Sequence, residues 1–312
     1  MKAAAASSFG SPDVLRLHDL DDPTAGPGEV RVRVKVAGVQ PFDAAIRRGW
    51  APAFLSVRTP AVPGNEFAGV VDQIGDRVTG VEIGAEVLGY STLDSYAEYV
   101  VVPADQIVRK PAAMPWEVAG GFSGNGQGAH LVLQALGVGR GDTLLINGAS
   151  GALGTIAVQL ALHWGAARVI GTASAPNHDY LRSIGATPVE YGDGLVERVR
   201  AVAPGGVDAA LDAAGADALR ASVELVKDRN RIRSMVALDE AKELGIPLLG
   251  PGRSAARLQS VVDLWNEGGI KIHIRAAYAL ADAAEAHRAI ELGHGRGKIV
   301  LLVDHTLADH AS

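Results

Sequence analysis

With 312 residues, of which 48% are hydrophobic and 21% charged, the chain is long enough for two domains, or one large one, with a substantial core, and its composition is globular rather than disordered. A net charge of −6 argues against a polyanion-binding surface and so against nucleic acid, while the lack of cysteine excludes disulfides, thiol catalysis, iron-sulfur ligation and thiolate-bound zinc. No apolar run approaches the length of a membrane span and the first ten residues hold no sustained apolar core for a signal peptide, so a cytoplasmic protein without a membrane partner is expected.

Residues 1–118 read as mostly β. Positions 29–39 alternate strictly, with Val30, Val32, Val34 and Val36 on one face and Arg31, Arg33 and Lys35 on the other, the pattern of a half-buried strand. A turn cluster of Asp, Pro and Gly precedes it at 21–28. Further short strands are predicted at 67–74, 86–89 and 96–102, with breaks at Gly75, Gly80 and Gly84, which suggests an irregular barrel or sandwich.

From about residue 119 the texture changes to alternating helix and strand. A Gly- and Ala-rich helical connection over 118–136 stops at Gly137. A strand then leads into Gly148-Ala149-Ser150-Gly151-Ala152-Leu153-Gly154 and an apolar helix to His163. Strands follow at 168–172, 188–191, 207–212 and 231–236, a last apolar run at 244–249 counts as the sixth, and helices are predicted at 177–184, 195–202 and 217–227. Six strands in a βα series imply a doubly wound parallel sheet, because each parallel step needs a crossover of this length. Pro251-Gly252 punctuates its end, after which come a helix at 254–267, a strand at 270–276, a helix at 282–292, a strand at 298–303 and a frayed tail from 304 to 312.

Strand, glycine turn and helix form the order that a dinucleotide site needs. Gly148 can adopt a turn conformation closed to other residues, Gly151 lets backbone approach a pyrophosphate, and Gly154 lets the helix pack close to the strand. The spacing is G-x-x-G-x-x-G rather than the usual G-x-G-x-x-G, and a turn serving packing alone carries the same letters.

Taken in order, Gly38-Val39-Gln40-Pro41-Phe42-Asp43, Pro63-Gly64-Asn65-Glu66-Phe67-Ala68-Gly69, Ser95-Tyr96-Ala97-Glu98-Tyr99, Gly141-Asp142-Thr143, the glycine turn and Gly295-Arg296-Gly297-Lys298-Ile299-Val300-Leu301 resemble the medium-chain dehydrogenase/reductase superfamily, and within it the zinc-independent quinone oxidoreductase branch. The resemblance spans almost the whole chain. It implies a GroES-like β domain formed by residues 1–118 and 252–312 around a Rossmann nucleotide-binding domain at 119–251, with a small quinone or enone substrate between them and a homodimer as the usual assembly. Zinc-dependent relatives place Cys and His as metal ligands where this chain has Asp43 and Asn65, so no metal is expected. Without one, conjugate reduction of an enone or quinone is easier than alcohol oxidation, since the developing charge spreads onto an oxygen that hydrogen-bond donors can stabilise.

The resemblance also implies the cofactor residues. The second strand and its end, 168–178, contain no carboxylate to repel a 2′-phosphate, which favours NADP(H). Residues 148 to 154, Thr172, Ser174, Asn177, Tyr191 and Lys298 are the expected cofactor contacts, although Asn177 or His178 stands where family members carry Lys, and capping of the next helix is the lesser alternative for Ser174 and Asn177. Gln40, Asn65 and Gln127 are the candidates for orienting substrate and nicotinamide, with Gln40 equally readable as a solvent-facing residue at a strand end. Asp43 is expected to be structural or paired, and Glu66 and Lys298 to form an ion pair joining the two parts of the β domain. The segment Ser123 to His130 departs from relatives by lacking a Thr hydroxyl near the nicotinamide, for which Gln127 or Asn125 could substitute. Carbonyl reduction on the same cofactor site, and NADPH binding in a structural or sensing role, are the alternatives.

Overall fold

The computed structural model describes residues 1–293 and 295–308. An antiparallel ribbon opens the chain, β1 (Lys2–Ala6) with β2 (Leu15–Asp19). Then come β3 (Glu29–Val39), the short helix α1 (Pro41–Arg47), β4 (Glu66–Ile74), β5 (Glu86–Tyr90), β6 (Tyr99–Pro103) and β7 (Ile107–Arg109). The alternation of β3 has the expected effect: Val30, Val32, Val34 and Val36 are buried, while Arg31 forks onto Asp72 at 3.0 Å and Lys35 reaches Asp304 at 2.5 Å. Strand β1 escapes a search for alternation because Ala3 to Ala6 are buried on both faces.

The middle of the chain holds α2 (Trp116–Gly120), α3 (Ser123–Ala135), β8 (Thr143–Asn147), α4 (Ala152–His163), β9 (Arg168–Thr172), α5 (His178–Ser183), β10 (Thr187–Val189), α6 (Leu195–Val202), β11 (Ala209–Asp212), α7 (Ala216–Leu225), β12 (Ile232–Ser234) and α8 (Leu238–Glu243). Its strands form one parallel sheet in the order β10-β9-β8-β11-β12. Leu144, Ile146, Val169 and Leu211 join α3 and α4 in one core, while Leu145, Ile170, Ala210 and Ile232 join α6, α7 and α8 in another. Helices therefore cover both faces, as a doubly wound sheet requires.

Two expectations need correction. The sheet has five strands rather than six. Residues 244–249 form no strand: Leu244 closes α8, Gly245 takes a positive φ of 69°, and Pro247 has no N–H to give a ladder. The chain also returns to the β-rich part later than residue 252. Helix α9 (Ala255–Asn266) lays Leu258, Val261 and Val262 into the core shared with α3, and re-entry begins at β13 (Ile274–Ala279).

After β13 come α10 (Ala283–Glu291) and β14 (Lys298–Leu302). Strand β14 pairs antiparallel with β3, Ile299 opposite Val39 and Leu302 opposite Val36, and parallel with β13. The seven-stranded sheet runs β13-β14-β3-β4-β5-β7, with β6 also paired to β3. Strands from both ends of the chain thus share one sheet. Among the described residues no helix is long and apolar enough to cross a membrane.

Candidate active site

A cleft of about 1920 Å³ opens at the C-terminal ends of β8, β9, β11 and β12 and is closed on the other side by residues from β3 to β7. It lies where the strand order turns from β8 outwards in both directions, the usual place for a ligand in an open α/β sheet.

The glycine turn forms its floor. Gly148 has φ +75°, and a Cβ there would lie 2.9 Å from the Ala213 carbonyl oxygen. At Gly154 a Cβ would come within 2.4 Å of the Gly148 oxygen and 2.6 Å of Ala149 Cα, so only glycine lets α4 sit this close to the turn. The first helical bond of α4 runs from Thr155 N–H to the Gly151 carbonyl at 2.9 Å, and Gly151 offers no side-chain cap. The N–H groups of Ala152, Leu153 and Gly154 are consequently without helical partners, and all three residues line the cleft beside Gly148, Ser150 and Gly151. Ala149 is fully buried, its N–H donates to the Thr172 carbonyl at 3.0 Å, and its methyl packs over Gly171, so its side chain faces the sheet.

Thr172 supports the turn from behind, its hydroxyl accepting from Gly148 N–H at 3.1 Å and donating to Asn147 Oδ1 at 3.3 Å. Ser174, Asn177 and the half-exposed Tyr191 line the cleft beyond it. Ser174 and Asn177 do not cap the helix with their side chains; Asn177 Nδ2 donates to Ser174 Oγ at 3.2 Å instead. Tyr191 sits on a loop that Arg198 clamps, its guanidinium donating to the carbonyls of Glu190, Tyr191, Gly192 and Asp193 at 2.7–3.2 Å. Nothing in the sequence pattern singles out Arg198.

A polar relay crosses the seam between the two parts of the molecule. Gly297 N–H donates to the Ser150 carbonyl at 3.0 Å, stitching the C-terminal segment to the glycine turn. The next residue, Lys298, reaches inward: its ammonium lies 2.5 Å from Glu66 and donates to the Val39 carbonyl at 2.8 Å, with both charged side chains almost wholly buried. The expected pair exists, and it joins β14 to β4. Glu66 also accepts from Gly124 N–H at 2.6 Å and from Gln40 Nε2 at 2.8 Å. A Cβ on Gly124 would stand 1.9 Å from Gln40 Nε2, and one on Gly38 would stand 2.2 Å from Glu66 Oε1, so both glycines make room for this relay.

Gln40 passes the constraint on. Its Nε2 donates to Asn65 Oδ1 at 3.3 Å, which turns the Asn65 amide so that Nδ2 is the free end. That Nδ2 is buried, has no protein partner, and belongs to a residue lining the cleft. Gln127 also lines the cleft, but its amide bridges Ser123 Oγ at 3.1 Å and Ser254 N–H at 2.8 Å and so ties α3 to the start of α9. His130 serves the same junction, accepting from Arg257 Nε at 3.1 Å and facing Trp164 edge-on.

Asp43 is structural, as expected. It is fully buried, accepting from Gln40 N–H at 2.9 Å and Tyr96 hydroxyl at 3.1 Å, and burial drives its pKa up to about 7 against the pull of Lys298. Behind it, His287 Nε2 meets the Tyr96 hydroxyl at 3.2 Å, and burial pushes its pKa down to about 3. An enclosed carboxylate and an amide, in a chain without thiolate, do not fit a zinc ion.

Residues 26–112 match the alcohol dehydrogenase GroES-like domain family and residues 184–301 the zinc-binding dehydrogenase family. A quinone oxidoreductase of Pseudomonas aeruginosa is 30% identical over 95% of this chain and 98% of its own, and a synaptic vesicle membrane protein VAT-1 homolog of Danio rerio is 27% identical over 97% and 70%. Among solved structures, the mycobacterial protein Rv1454c complexed with NADPH is 29% identical with a TM-score of 0.87, and an NAD-dependent alcohol dehydrogenase is 29% identical with a TM-score of 0.86; each likeness covers 97% of this chain and all of the other. With a cleft assembled in this way and relatives matching along its whole length, the chain belongs to the medium-chain dehydrogenase/reductase superfamily, in its quinone oxidoreductase-like branch.

Proposed function

We propose that the protein is an NADPH-dependent, metal-independent reductase that delivers hydride to a quinone or an α,β-unsaturated carbonyl compound. The observation that carries this reading is the unpartnered, buried Asn65 Nδ2 in the same cleft as the three unpaired amides of α4. The amides fit an anion such as a pyrophosphate, and the glycines that expose them leave space for its close approach. Ser174, Asn177 and Tyr191 would hold the adenosine side. When bound, NADPH would supply the hydride, and a solvent proton would complete the reduction.

The chain's own residues do the rest. Lys298 and Glu66 hold Gln40, Gln40 turns Asn65, and Asn65 presents an N–H already stripped of water to a substrate oxygen as negative charge grows there. A donor fixed beforehand strengthens its bond in the transition state without reorganising. The relative named quinone oxidoreductase and the neighbour solved with NADPH support the same reading. Purified protein should consume NADPH with a panel of quinones and enals and bind NADPH more tightly than NADH. NADH bound tenfold more tightly, or NADPH left unconsumed across the panel, would refute it.

Carbonyl reduction is the second reading, favoured by the likeness to an NAD-dependent alcohol dehydrogenase. Product analysis separates the two: the first yields a saturated ketone or a hydroquinone, the second an unsaturated alcohol.

A further inference from the structure

The substrate end of the cleft mixes aromatic surface with neutral polar groups. Among the described residues that line it between Val39 and Gln106, none carries a charge; Phe42, Phe54 and Tyr90 provide aromatic surface, and Leu131 of α3 adds an aliphatic wall. Arg253 projects into this space from the loop before α9. Its Nη1 donates to the backbone carbonyls of Asn65 at 3.2 Å and Ser91 at 3.1 Å, and the guanidinium lies 5.9 Å from the centre of the Tyr90 ring. Among the described residues no carboxylate forms an ion pair with it. Nε and Nη2 have no hydrogen-bond partner among the described residues, and the residue as a whole is exposed at the cleft.

The backbone behind Arg253 is fixed on purpose-built contacts. Ser254 N–H donates to Gln127 Oε1 at 2.8 Å, and Ser254 Oγ caps α9 by accepting from Arg257 N–H at 3.1 Å. Next to it a Cβ on Gly252 would stand 2.6 Å from Leu131, so the loop is pressed against α3. Two carbonyls hold one nitrogen, and the residue lines the same cleft as Asn65. A guanidinium left in this state offers two N–H groups to a planar acceptor, and a carboxylate is the group that matches it.

We propose that Arg253 is a specificity-determining residue that holds a carboxylate on the substrate, so that the cleft selects acidic enones or quinones over their neutral counterparts. This rests on the reductase reading for the identity of the acceptor, though not for the anion site itself. Gln127 then acts as a positioning residue for Arg253. The Asn65 amide and the Arg253 fork would engage two ends of one small molecule, an acceptor oxygen and an acid, with the aromatic walls on either side.

The test uses 4-oxo-4-phenylbut-2-enoate and its methyl ester, an enone pair differing in one negative charge, and the saturated acid 4-oxo-4-phenylbutanoate as a binding probe. The wild-type protein should show the higher kcat/KM for the acid, and Arg253→Met should lower the acid-to-ester ratio of kcat/KM about 10- to 100-fold, the effect of losing a hydrogen bond to a charged group. Arg253→Lys should fall between them, because it keeps the charge and loses the fork. The saturated acid should raise the melting temperature of the wild-type protein and not that of Arg253→Met. A wild-type enzyme that treats acid and ester alike, or a ratio unmoved by Arg253→Met, overturns the proposal and points to Arg253 as a strap between domains. Should neither enone be reduced, the panel of quinones and enals decides the reductase reading, and the thermal shift decides the anion site by itself: a shift that needs Arg253 supports it and no shift overturns it.

Discussion

The two halves of the cleft are built by different means. The nucleotide half is built from backbone: Gly148 and Gly154 shape a turn that exposes the amides of Ala152, Leu153 and Gly154, and side chains such as Thr172 act behind it. The half facing it, where we propose that substrate binds, is built from side chains, Gln40, Asn65 and Arg253, each held by a partner distant in sequence. A backbone site tolerates changes that leave its shape intact, whereas a side-chain relay fails at whichever link is cut.

That contrast can be broken at several points. The largest effect is expected at Lys298→Met, which strands the Glu66 carboxylate in the interior. Breaking a buried pair from one side costs about 3–5 kcal/mol, and chemical denaturation should show such a loss, with the double change Glu66→Gln/Lys298→Met recovering a good part of it. Next comes Asn65→Ala, which removes the prearranged donor. Loss of one such donor typically lowers kcat about a hundredfold, and steady-state kinetics should show that drop with NADPH affinity unaltered in a fluorescence titration. An equal loss of NADPH affinity would mean that the two halves are not separate.

Gly154→Ala attacks the other half. Its added methyl meets backbone that cannot give way, so a destabilisation of about 1–3 kcal/mol and at least tenfold weaker NADPH binding are expected. Gly128→Ala is the control, because a Cβ there meets the flexible end of Leu153 at 3.2 Å and should cost much less.

The last effect concerns pH. Asp43 has its folded-state pKa raised from 3.8 to about 7, so its contribution to stability is fully present below pH 3.8 and is lost as pH rises through about 7. His287 works the other way, being held neutral with a pKa lowered from 6.5 to about 3, and its contribution is lost as pH falls below 6.5. Asp43→Asn should remove the first dependence alone. Melting curves from pH 4 to 8 should therefore show the variant gaining on the wild-type protein as pH rises.

The same contrast governs what could be read from sequence. Gly148 and Gly154 are legible because the positive φ of the first and the close backbone contact of the second leave their mark in the letters, and β3 because its two faces meet different solvents. The side-chain direction of Ala149 is not legible, because neighbours in a turn point in opposite directions and spacing alone does not say which way each one faces. At 244–249 apolar content outweighed Gly245 and Pro247, whose backbone properties decide the matter. Arg253 was invisible because it follows Pro251-Gly252 in a loop without period, and its surroundings come from β4, β5 and the turns after them. Side-chain relays spanning the whole chain leave no local pattern, so the substrate half emerges only in three dimensions.

Transfer of label from NADPH carrying deuterium at carbon 4 to an enone tests the central claim most directly. The structure predicts a saturated ketone with deuterium on the former β-carbon, formed with Asn65 in place and about a hundredfold more slowly without its amide. Deuterium on the carbinol carbon of an unsaturated alcohol, or a product free of label, would contradict it.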